Sequence, residues 1–470
     1  MQQTSNKKPQ NTSESESEEI YAKHKKVYPR KVSGVFASLR TLGVFILLGG
    51  YYLVPWLRWD SHQAVLFDLP ARKFYIFGLT FWPQDFFYLA ALLIIAALSL
   101  FFFTALAGRL WCGFACPQTV WTEVFLWIER KVEGSRNQQI KLDKEAMNTN
   151  KFYLKSLKHF IWITFSLWTG FTFVGYFTPI LDLGQATLQL ALGPWETFWV
   201  IFYSFATYGN AGWMREQVCI YMCPYARFQS AMFDKDTLII SYDEQRGESR
   251  GPRKKSVDPK EKGLGDCVDC TLCVQVCPTG IDIRDGLQYQ CIGCAACVDV
   301  CDEVMEKMNY EKGLVRYTTQ NRMDGKTTHL LRPRILIYAS LLIILSLSLV
   351  YSIATRIPLE LDIIRDRNSL YRETMEGLVE NIYTLKLINM DTKDHSYELR
   401  IDGLKEMLFV KPNAEIKVKS GEVVTLAVRI QIDPINLPKT SNVVNFYLQA
   451  TDQSDLAVTE KARFIGPLVK

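Results

Sequence analysis

Long apolar runs alternate with charged segments along most of the 470-residue chain. A helix of about 20 apolar residues spans the roughly 30 Å hydrocarbon core of a bilayer. Five runs without a charged side chain reach or approach this length, and we predict a transmembrane helix in each: Thr41–Leu57, Phe86–Ala107, Phe160–Leu181, Thr197–Met214 and Ile335–Thr355. The alternative is a set of buried helices in a soluble core, but globular helices seldom stay uncharged over such a length. The short first run gains Val32–Leu39 if Arg40 snorkels to the interface.

After Pro358 the hydrophobic pattern changes to a period of two residues, which is typical of half-buried strands. The alternation runs through Tyr397–Ile401, Val424–Ile432 and Val444–Ala450. Turn signals separate these segments at Asp402-Gly403, Lys411-Pro412-Asn413, Ser420-Gly421 and Asp433-Pro434. Short strands at such spacing predict a small Ig-like β-sandwich. It carries no catalytic constellation, so we interpret it as a contact or positioning module.

Basic residues are distributed unevenly around the apolar runs, and this asymmetry predicts orientation. They precede the first run (Lys23, Lys25, Lys26, Arg30, Lys31, Arg40) and separate the second from the third (Arg130, Lys131, Arg136, Lys141, Lys144, Lys151, Lys155, Lys158). None occurs between Asp182 and Glu196. We therefore expect a multi-pass protein of the bacterial inner membrane with a cytoplasmic N-terminus, cytoplasmic residues 215–334 and a periplasmic C-terminal domain. We expect no cleavable signal peptide.

The chain has twelve cysteines, none of them after Cys301. All fall in C-x2-C or C-x3-C spacings, which favour metal or cluster sites over a disulfide framework. The predicted topology puts them all on the cytoplasmic side, where thiols stay reduced. The formal net charge of +5 is mild, and no basic stripe with interleaved aromatic residues is present, so nucleic-acid binding is not expected.

Two cysteine motifs repeat in the segment before the last apolar run. Residues 267–278 read C-V-D-C-T-L-C-V-Q-V-C-P and residues 291–301 read C-I-G-C-A-A-C-V-D-V-C. In this spacing three cysteines of one loop hold one [4Fe–4S] cluster and the fourth reaches the other cluster. We assign the first cluster to Cys267, Cys270, Cys273 and Cys301, and the second to Cys291, Cys294, Cys297 and Cys277. Zinc is the alternative, but zinc ribbons use two C-x2-C pairs. Asp302 replaces the expected proline and predicts a different local turn.

The other four cysteines form two C-x3-C-P motifs, each after an apolar run: Cys112, Cys116, Pro117 and Cys219, Cys223, Pro224. Parallel repeats in membrane proteins are related by an axis along the membrane normal, so we expect the two motifs to meet. Positions i and i+4 share a helix face, and the proline is expected to end or kink that helix. We expect Arg109 and Arg215 to lower the thiol pKa values.

The centre that these four cysteines hold stays open at the level of sequence. Copper(I) suits thiolates and thioethers, and Met222 lies inside the second motif, although a packing role for it is simpler. A redox disulfide, an additional cluster and a set of inert buried thiols are the alternatives. No C-x2-C-H motif is present, which excludes the usual covalent attachment of c-type haem.

This order of parts resembles the cytochrome oxidase accessory family CcoG, also called FixG or RdxA, over nearly the whole chain. The resemblance implies a role in assembling cbb3-type haem–copper oxidase and the reduction of Cu(II) to Cu(I). It matches Cys112, Cys116, Cys219 and Cys223 to the family's membrane cysteines and the other eight to its cluster ligands. The cofactors implied are two [4Fe–4S] clusters, with copper as substrate or bound ion and a further thiolate-bound centre. Expected partners are oxidase assembly factors, copper chaperones, an unidentified electron donor and a second copy of the chain.

The sequence thus predicts a multidomain membrane protein. Its parts are a largely disordered cytoplasmic tail (1–35), four transmembrane helices in two repeats (36–223), a cytoplasmic ferredoxin-like domain with two [4Fe–4S] clusters (224–334), a fifth transmembrane helix (335–355) and a periplasmic Ig-like β-sandwich (356–470). The leading hypothesis is a membrane cupric reductase. The alternatives are a quinol-linked electron conduit, since C-x3-C-P motifs also resemble membrane subunits of nitrate and nitrous oxide respiration, and a non-enzymatic assembly scaffold.

Overall fold

The structure, a computed structural model, describes residues 26–59, 62–256, 258, 262–391, 393–410 and 415–467. Residues 1–25 of the predicted tail and the predicted turn at Lys411-Pro412-Asn413 lie outside these ranges.

Helices dominate the chain before residue 356. The α-helices are α1 Val35–Leu53, α2 Phe86–Ala107, α3 Leu110–Phe114, α4 Pro117–Val132, α5 Arg136–Lys144, α6 Thr149–Val174, α7 Ile180–Leu188, α8 Pro194–Thr207, α9 Pro224–Met232, α10 Glu244–Gly247, α11 Leu272–Val276, α12 Ala296–Met308, α13 Gln320–Met323 and α14 Pro333–Ala354. Two π-helical segments, Tyr208–Met214 and Val218–Met222, separate α8 from α9. Short 3₁₀ turns cover Val54–Trp56, Pro83–Asp85, Ile283–Asp285 and Pro434–Asn436.

Strands form small sheets in the first part of the chain and a sandwich at its end. They are β1 Arg58–Trp59, β2 His62–Gln63, β3 Val65–Asp68, β4 Lys73–Ile76, β5 Leu79–Phe81, β6 Ile239–Tyr242, β7 Val315–Thr318, β8 Leu359–Arg365, β9 Arg372–Glu373, β10 Val379–Asn389, β11 His395–Asp402, β12 Leu408–Val410, β13 Ile416–Val418, β14 Val423–Ile432, β15 Ser441–Ala450 and β16 Ala457–Ile465.

In the described part of the chain, three helical segments are long and apolar enough to cross a membrane: Val35–Trp56, Pro83–Ala107 and Pro333–Ala354. The prediction of five such helices is therefore confirmed for three. α6 ends at Val174 rather than Leu181, because the chain turns there and α7 begins after Pro179. α8 has only 14 residues before the backbone becomes π-helical.

The ferredoxin-like segment and the sandwich lie at opposite ends of α14. At its first end, Arg332 donates to the carbonyl of Ala105 at the end of α2. At its other end, Arg356 pairs with Asp85 at 2.5 Å, just before α2 begins. The two helices are thus antiparallel and are fixed at both ends.

The C-terminal domain is a β-sandwich, as predicted. One sheet has the order β12-β14-β10-β8 with β9 beside β10, and the other has the order β13-β11-β15-β16. The predicted alternations correspond to β11, β14 and β15. Tyr383 from the first sheet meets Phe446 from the second, with ring centroids 5.3 Å apart, and both side chains are fully buried. Lys73 donates to the carbonyl of Gly421 at 2.7 Å and ties the β3–β5 sheet to the sandwich.

Candidate iron–sulfur and thiolate centre

The two ferredoxin loops have the same backbone. In the first, Asp269 and Thr271 flank the second cysteine with φ of 52° and 54°. In the second, Gly293 and Ala295 take the equivalent places with φ of 67° and 56°. Thr271 and Ala295 each precede a short helix, α11 or α12, that carries the third cysteine. The sequence repeat is therefore also a structural repeat.

Each assigned set of cysteines surrounds its own cavity. The first cluster cavity is lined by Cys267, Cys270, Cys273 and Cys301. The second cluster cavity is lined by Cys277, Cys291, Cys294 and Cys297, and Cys273 borders it. Apolar side chains such as Met305 and Ile283 complete the walls. Soft sulfur donors in two sets of four, around two separate cavities, fit a pair of [4Fe–4S] clusters.

Burial also affects the protonation of these cysteines. Among the described residues, no group of three or more His, Cys, Asp or Glu side chains is arranged to hold a metal ion. Burial raises the pKa of the Cys273, Cys294 and Cys301 thiols to about 12. Such thiols become thiolates when bound iron supplies positive charge.

Asp302 takes the place of the expected proline without opening a turn. α12 runs through Asp302 to Met308 because aspartate, unlike proline, keeps its backbone N–H. Its Oδ1 accepts from the amide of Gly313 at 2.8 Å. The predicted difference in the local backbone is therefore real, and it consists of a continuous helix that is tied to the following loop.

The two C-x3-C-P motifs also share an uncommon backbone. Four residues before the first cysteine, Gly108 has φ 58° and ψ −119°, and Arg215 has φ 44° and ψ −112°. The second cysteine donates its amide to a carbonyl five residues back, Cys116 to Trp111 and Cys223 to Val218, both at 2.8 Å. This i→i−5 bond is the π-helical pattern that often marks functional sites.

Each proline follows the end of one helical segment, as expected, and also begins the next helix. Pro117 is the first residue of α4 and Pro224 the first of α9, where a missing N–H costs nothing and φ is already helical. The cysteine before each proline is the N-cap residue, with extended backbone. The prediction that each pair shares one face of a continuous helix is therefore wrong: Cys112 lies on α3 and Cys116 lies beyond its end.

The expected effect on the thiol pKa values is confirmed in direction for Arg109, but burial outweighs it. Burial, followed by the neighbouring Cys116, raises the pKa of Cys112 to about 12, whereas Arg109 lowers it. Arg215 pairs instead with Glu129 at 2.9 Å. The Arg215 side chain therefore fixes the position of the second motif and is not a cause of a thiol pKa shift.

The two motifs come together, as the repeat predicts. Burial raises the pKa of the Cys219 thiol to about 12, and the thiols of Cys112, Cys116 and Cys223 are close enough to raise it further. Gln118, two residues after Cys116, bridges the motifs by donating to the carbonyls of Asn210 at 2.8 Å and Arg215 at 3.1 Å. We call Cys112, Cys116, Cys219 and Cys223 the thiol quartet.

The thiol quartet abuts the second ferredoxin loop through glycine. A Cβ added to Gly113, next to Cys112, would lie 2.7 Å from the carbonyl oxygen of Gly293 and 2.9 Å from the Cα of Cys294. Two arginines reinforce this contact. Arg109 donates to the carbonyl of Cys291 at 3.2 Å, and Arg40 donates to the carbonyl of Cys294. Arg40 therefore points at the ferredoxin loop, and the candidate span Val35–Trp56 includes it.

α1 docks on the same domain through its first turn. The carboxylate of Asp299 in α12 accepts from the amides of Phe36 at 3.1 Å and Ala37 at 2.7 Å. Amides at a helix N-terminus have no partner within the helix, and a carboxylate there also meets the positive end of the helix dipole. Sequence reasoning missed this contact because Asp299 sits among the cluster cysteines and α1 lies far away in the chain.

Sequence reasoning also missed a buried ionic network behind the second motif. Glu129 in α4 is 2% exposed at its side chain and contacts Arg215 at 2.9 Å and Lys158 at 3.4 Å. Lys158 also reaches Glu133 at 2.7 Å. Burial opposes ionisation of Glu129, but these cations hold its pKa below the ordinary value. In the sequence, Lys158 is one of the basic residues that indicate orientation, and nothing there marks its pairing with Glu129.

Comparison with known families agrees with these features. The chain matches a family model described as "4Fe-4S dicluster domain" over residues 214–320 and one described as "4Fe-4S binding domain" over residues 89–134. The second match includes Cys112 and Cys116. Residues 349–467 match a model for the "IG-like fold at C-terminal of FixG".

Three curated relatives match more than four fifths of the chain. "Protein RdxA" of Cereibacter sphaeroides is 41% identical over 403 residues, which cover 82% of this chain and 84% of that protein. "Nitrogen fixation protein FixG" of Rhizobium meliloti is 38% identical over 422 residues (82% and 80%). "Protein RdxB" of C. sphaeroides is 40% identical over 428 residues (87% and 90%). A crystal structure of a FixG-related protein from Vibrio parahaemolyticus, 33% identical, covers 23% of this chain and 95% of that one with a TM-score of 0.21.

Proposed function

The chain belongs to the FixG and RdxA family of iron–sulfur electron-transfer proteins, and we propose that it reduces Cu(II) to Cu(I) at the thiol quartet. The contact between Gly113 and Gly293 carries this proposal, because it joins the quartet directly to a loop of cluster cysteines. Four soft sulfurs beside such a loop suit an electron acceptor that prefers thiolates when reduced, as Cu(I) does.

We propose that Cys267, Cys270, Cys273 and Cys301 hold one cluster and that Cys277, Cys291, Cys294 and Cys297 hold the other. When bound, [4Fe–4S] clusters supply one-electron chemistry over a range of potentials that extends well below zero. The chain's own contribution is positional. Arg109 and Arg40 fix the second ferredoxin loop against α3, and Gln118 holds the two halves of the quartet together.

Copper is the substrate in this proposal, so it needs fewer ligands than a resident metal. Cys219 and Cys223 are the pair that we assign to it, with Met222 between them as a nearby thioether. Met222 is 59% exposed, and Tyr221 beside it is 63% exposed. An arriving ion can therefore reach this turn without unfolding the motif.

The proposed site faces the cytoplasm of a bacterial inner-membrane protein, and α6 and α8 complete the predicted five crossings. Contacts at both ends of α6 support this arrangement. Near its start, Lys158 reaches Glu129 on the side of the thiol quartet. Near its end, the carbonyl of Thr169 accepts from Tyr51 at the far end of α1 at 2.9 Å. At 1.5 Å per residue, its 26 residues span about 39 Å.

Replacing both Cys219 and Cys223 by serine tests the copper site. Dithionite-reduced protein should lose Cu(II) reduction, measured anaerobically with a Cu(I)-specific chelator, and should keep the iron and sulfide of two clusters. Tyr221→Phe, between the two cysteines and exposed, is the matched control and should behave as wild type. Persistence of copper reduction in the double serine variant would show that the site is elsewhere.

A further cluster at the quartet is the second candidate. The "4Fe-4S binding domain" match over residues 89–134, which includes Cys112 and Cys116, favours it. In that case the double serine variant would lose the iron and sulfide of one cluster. The protein would then be an electron conduit whose final acceptor is another centre.

For the biological setting, we propose that the copper serves the assembly of cbb3-type oxidase, with assembly factors and copper chaperones as partners. The β-sandwich is the part we assign to partner contact. A chain that ends at Pro358 should still reduce copper but should fail to support oxidase maturation in cells. Normal maturation by the shortened chain would remove the sandwich from this role.

A further inference from the structure

A large cavity lies between α1, α4 and the second ferredoxin loop. Its volume is about 760 Å³, within the range of roughly 300–1,000 Å³ that is usual for small-molecule sites. Its wall includes Cys294 of the second cluster set and Cys219 of the thiol quartet. It is therefore the place in the described chain where one organic ligand would touch both sets of cysteines.

The lining of this cavity combines apolar and charged side chains. α1 contributes Val44, Phe45 and Leu48, and α4 contributes Trp127. Phe45 is 72% exposed and lies on a helix that is apolar enough to cross a membrane, so the apolar part opens toward lipid. Glu123 and Glu216 belong to the polar part of the wall.

We propose that this cavity binds a membrane quinol, which is the electron donor of the copper reduction; the inference rests on the proposed function. A quinol has the matching form, with a redox-active ring that carries two hydroxyls and a long apolar tail. The overall reaction balances as one quinol and two Cu(II) giving one quinone, two Cu(I) and two protons. The carboxylates of Glu123 and Glu216 are the groups in the wall that can accept those protons.

An anionic phospholipid is the competing ligand, because five basic side chains border the cavity: Arg30, Lys31, Arg40, Arg130 and Arg215. Three of them already donate to protein acceptors. Arg215 pairs with Glu129 at 2.9 Å, Arg130 pairs with Glu123 at 2.8 Å, and Arg40 donates to the carbonyl of Cys294. A phosphate would have to compete for these groups, whereas a neutral quinol need not.

Adjacent glycines in α1 provide a matched pair of variants. Gly49 lines the cavity and Gly50 does not. A Cβ added to either meets no atom within 4 Å, so both positions accept a side chain without a clash at Cβ. Gly49→Trp places a large ring in the cavity, and Gly50→Trp places the same ring outside it. Both changes replace glycine by tryptophan inside one helix, so their effects on helix propensity are equal.

The test uses the full-length protein in nanodiscs with photoreactive short-chain ubiquinone and menaquinone. We expect labelling of peptides from α1 and α4, and a weakening of binding by about tenfold or more in Gly49→Trp but not in Gly50→Trp. The ratio of quinol-driven to dithionite-driven Cu(II) reduction should fall by a similar factor in Gly49→Trp only.

Three results would overturn the inference: no labelling of α1 and α4, equal binding in the two variants, or native mass spectrometry in which phospholipid occupies the site and quinone does not displace it. Failure of the proposed function gives a different result. In that case, dithionite-reduced wild-type protein would not reduce Cu(II). Quinone labelling does not depend on copper reduction, so it would still report whether the cavity binds a quinone.

Discussion

The contact between Gly113 and Gly293 makes a sharp prediction for Gly113→Ala. The added methyl group would lie 2.7 Å from the Gly293 oxygen, 2.8 Å from its carbonyl carbon and 2.9 Å from the Cα of Cys294. All three atoms are backbone, so no side chain can rotate away. Gly113 lies inside α3 without a positive φ, and alanine there is otherwise favoured by about 1 kcal/mol. The effect of the substitution is therefore steric.

The size of the effect follows from those distances. Ordinary contacts begin near 3.4 Å, so the ferredoxin loop and α3 must separate by at least roughly half an ångström. Overpacking of this kind costs about 1–3 kcal/mol. Applied to the docking of the ferredoxin loop on α3, this cost shifts the docked population by about 5- to 150-fold. Copper reduction should fall accordingly if, as we propose, electrons reach the thiol quartet across this contact.

Stopped-flow mixing of dithionite-reduced protein with Cu(II) measures that rate, and iron and sulfide content checks the clusters. Gly113→Ala should keep both clusters and reduce copper slowly. Gly50→Ala is the control, because its added Cβ meets nothing within 4 Å. A wild-type rate in Gly113→Ala would refute the idea that the quartet receives electrons through this contact.

Two further predictions concern stability. Glu129→Gln leaves Arg215 buried without its carboxylate partner, so the free energy of unfolding of the full chain, measured by thermal unfolding, should fall by about 3–5 kcal/mol. The control Glu303→Gln removes one partner of an exposed pair and should lower it by less than about 1 kcal/mol. Equal decreases in the two variants would contradict the buried network. Burial opposes protonation of His395, but hydrogen bonds to two aspartates raise its pKa above 6.5. Protonated His395 therefore stabilises the folded sandwich fully below pH 6.5, and this contribution is lost as the pH rises through the higher folded-state pKa. Over that pH range, hydrogen exchange of β11 should accelerate in wild type and not in His395→Asn.

The sequence predicts chemistry better than it predicts contacts in this chain. Cysteine spacing is local, so the two loops and the C-x3-C-P repeat are visible without a fold. β11 and β14 are visible because each buries one face. β10 carries the same signal at Tyr383, Leu385 and Leu387, which the segments chosen from the sequence did not include.

Contacts between distant segments leave little trace in the sequence. Gly113 is one of 27 glycines, and only its approach to Gly293 sets it apart. Lys158 precedes an apolar run and looks like a topology signal, yet its side chain is 5% exposed and holds two carboxylates. The end of α6 was misplaced for a related reason, because hydropathy continues through Phe177 while the backbone turns.

The internal repeat is symmetric in backbone and asymmetric in its surroundings, and this difference bears on the direction of electron flow. Gly108 and Arg215 share one conformation, which glycine adopts freely and which costs other residues about 1–3 kcal/mol. The pairing of Arg215 with buried Glu129 offsets that strain and anchors the second motif to α4. The first motif has glycine there and is held by the ferredoxin loop instead, through Arg109. In the proposed function, the first motif therefore receives the electrons, and the second motif, which the Arg215–Glu129 pair fixes from behind, presents its cysteines to copper.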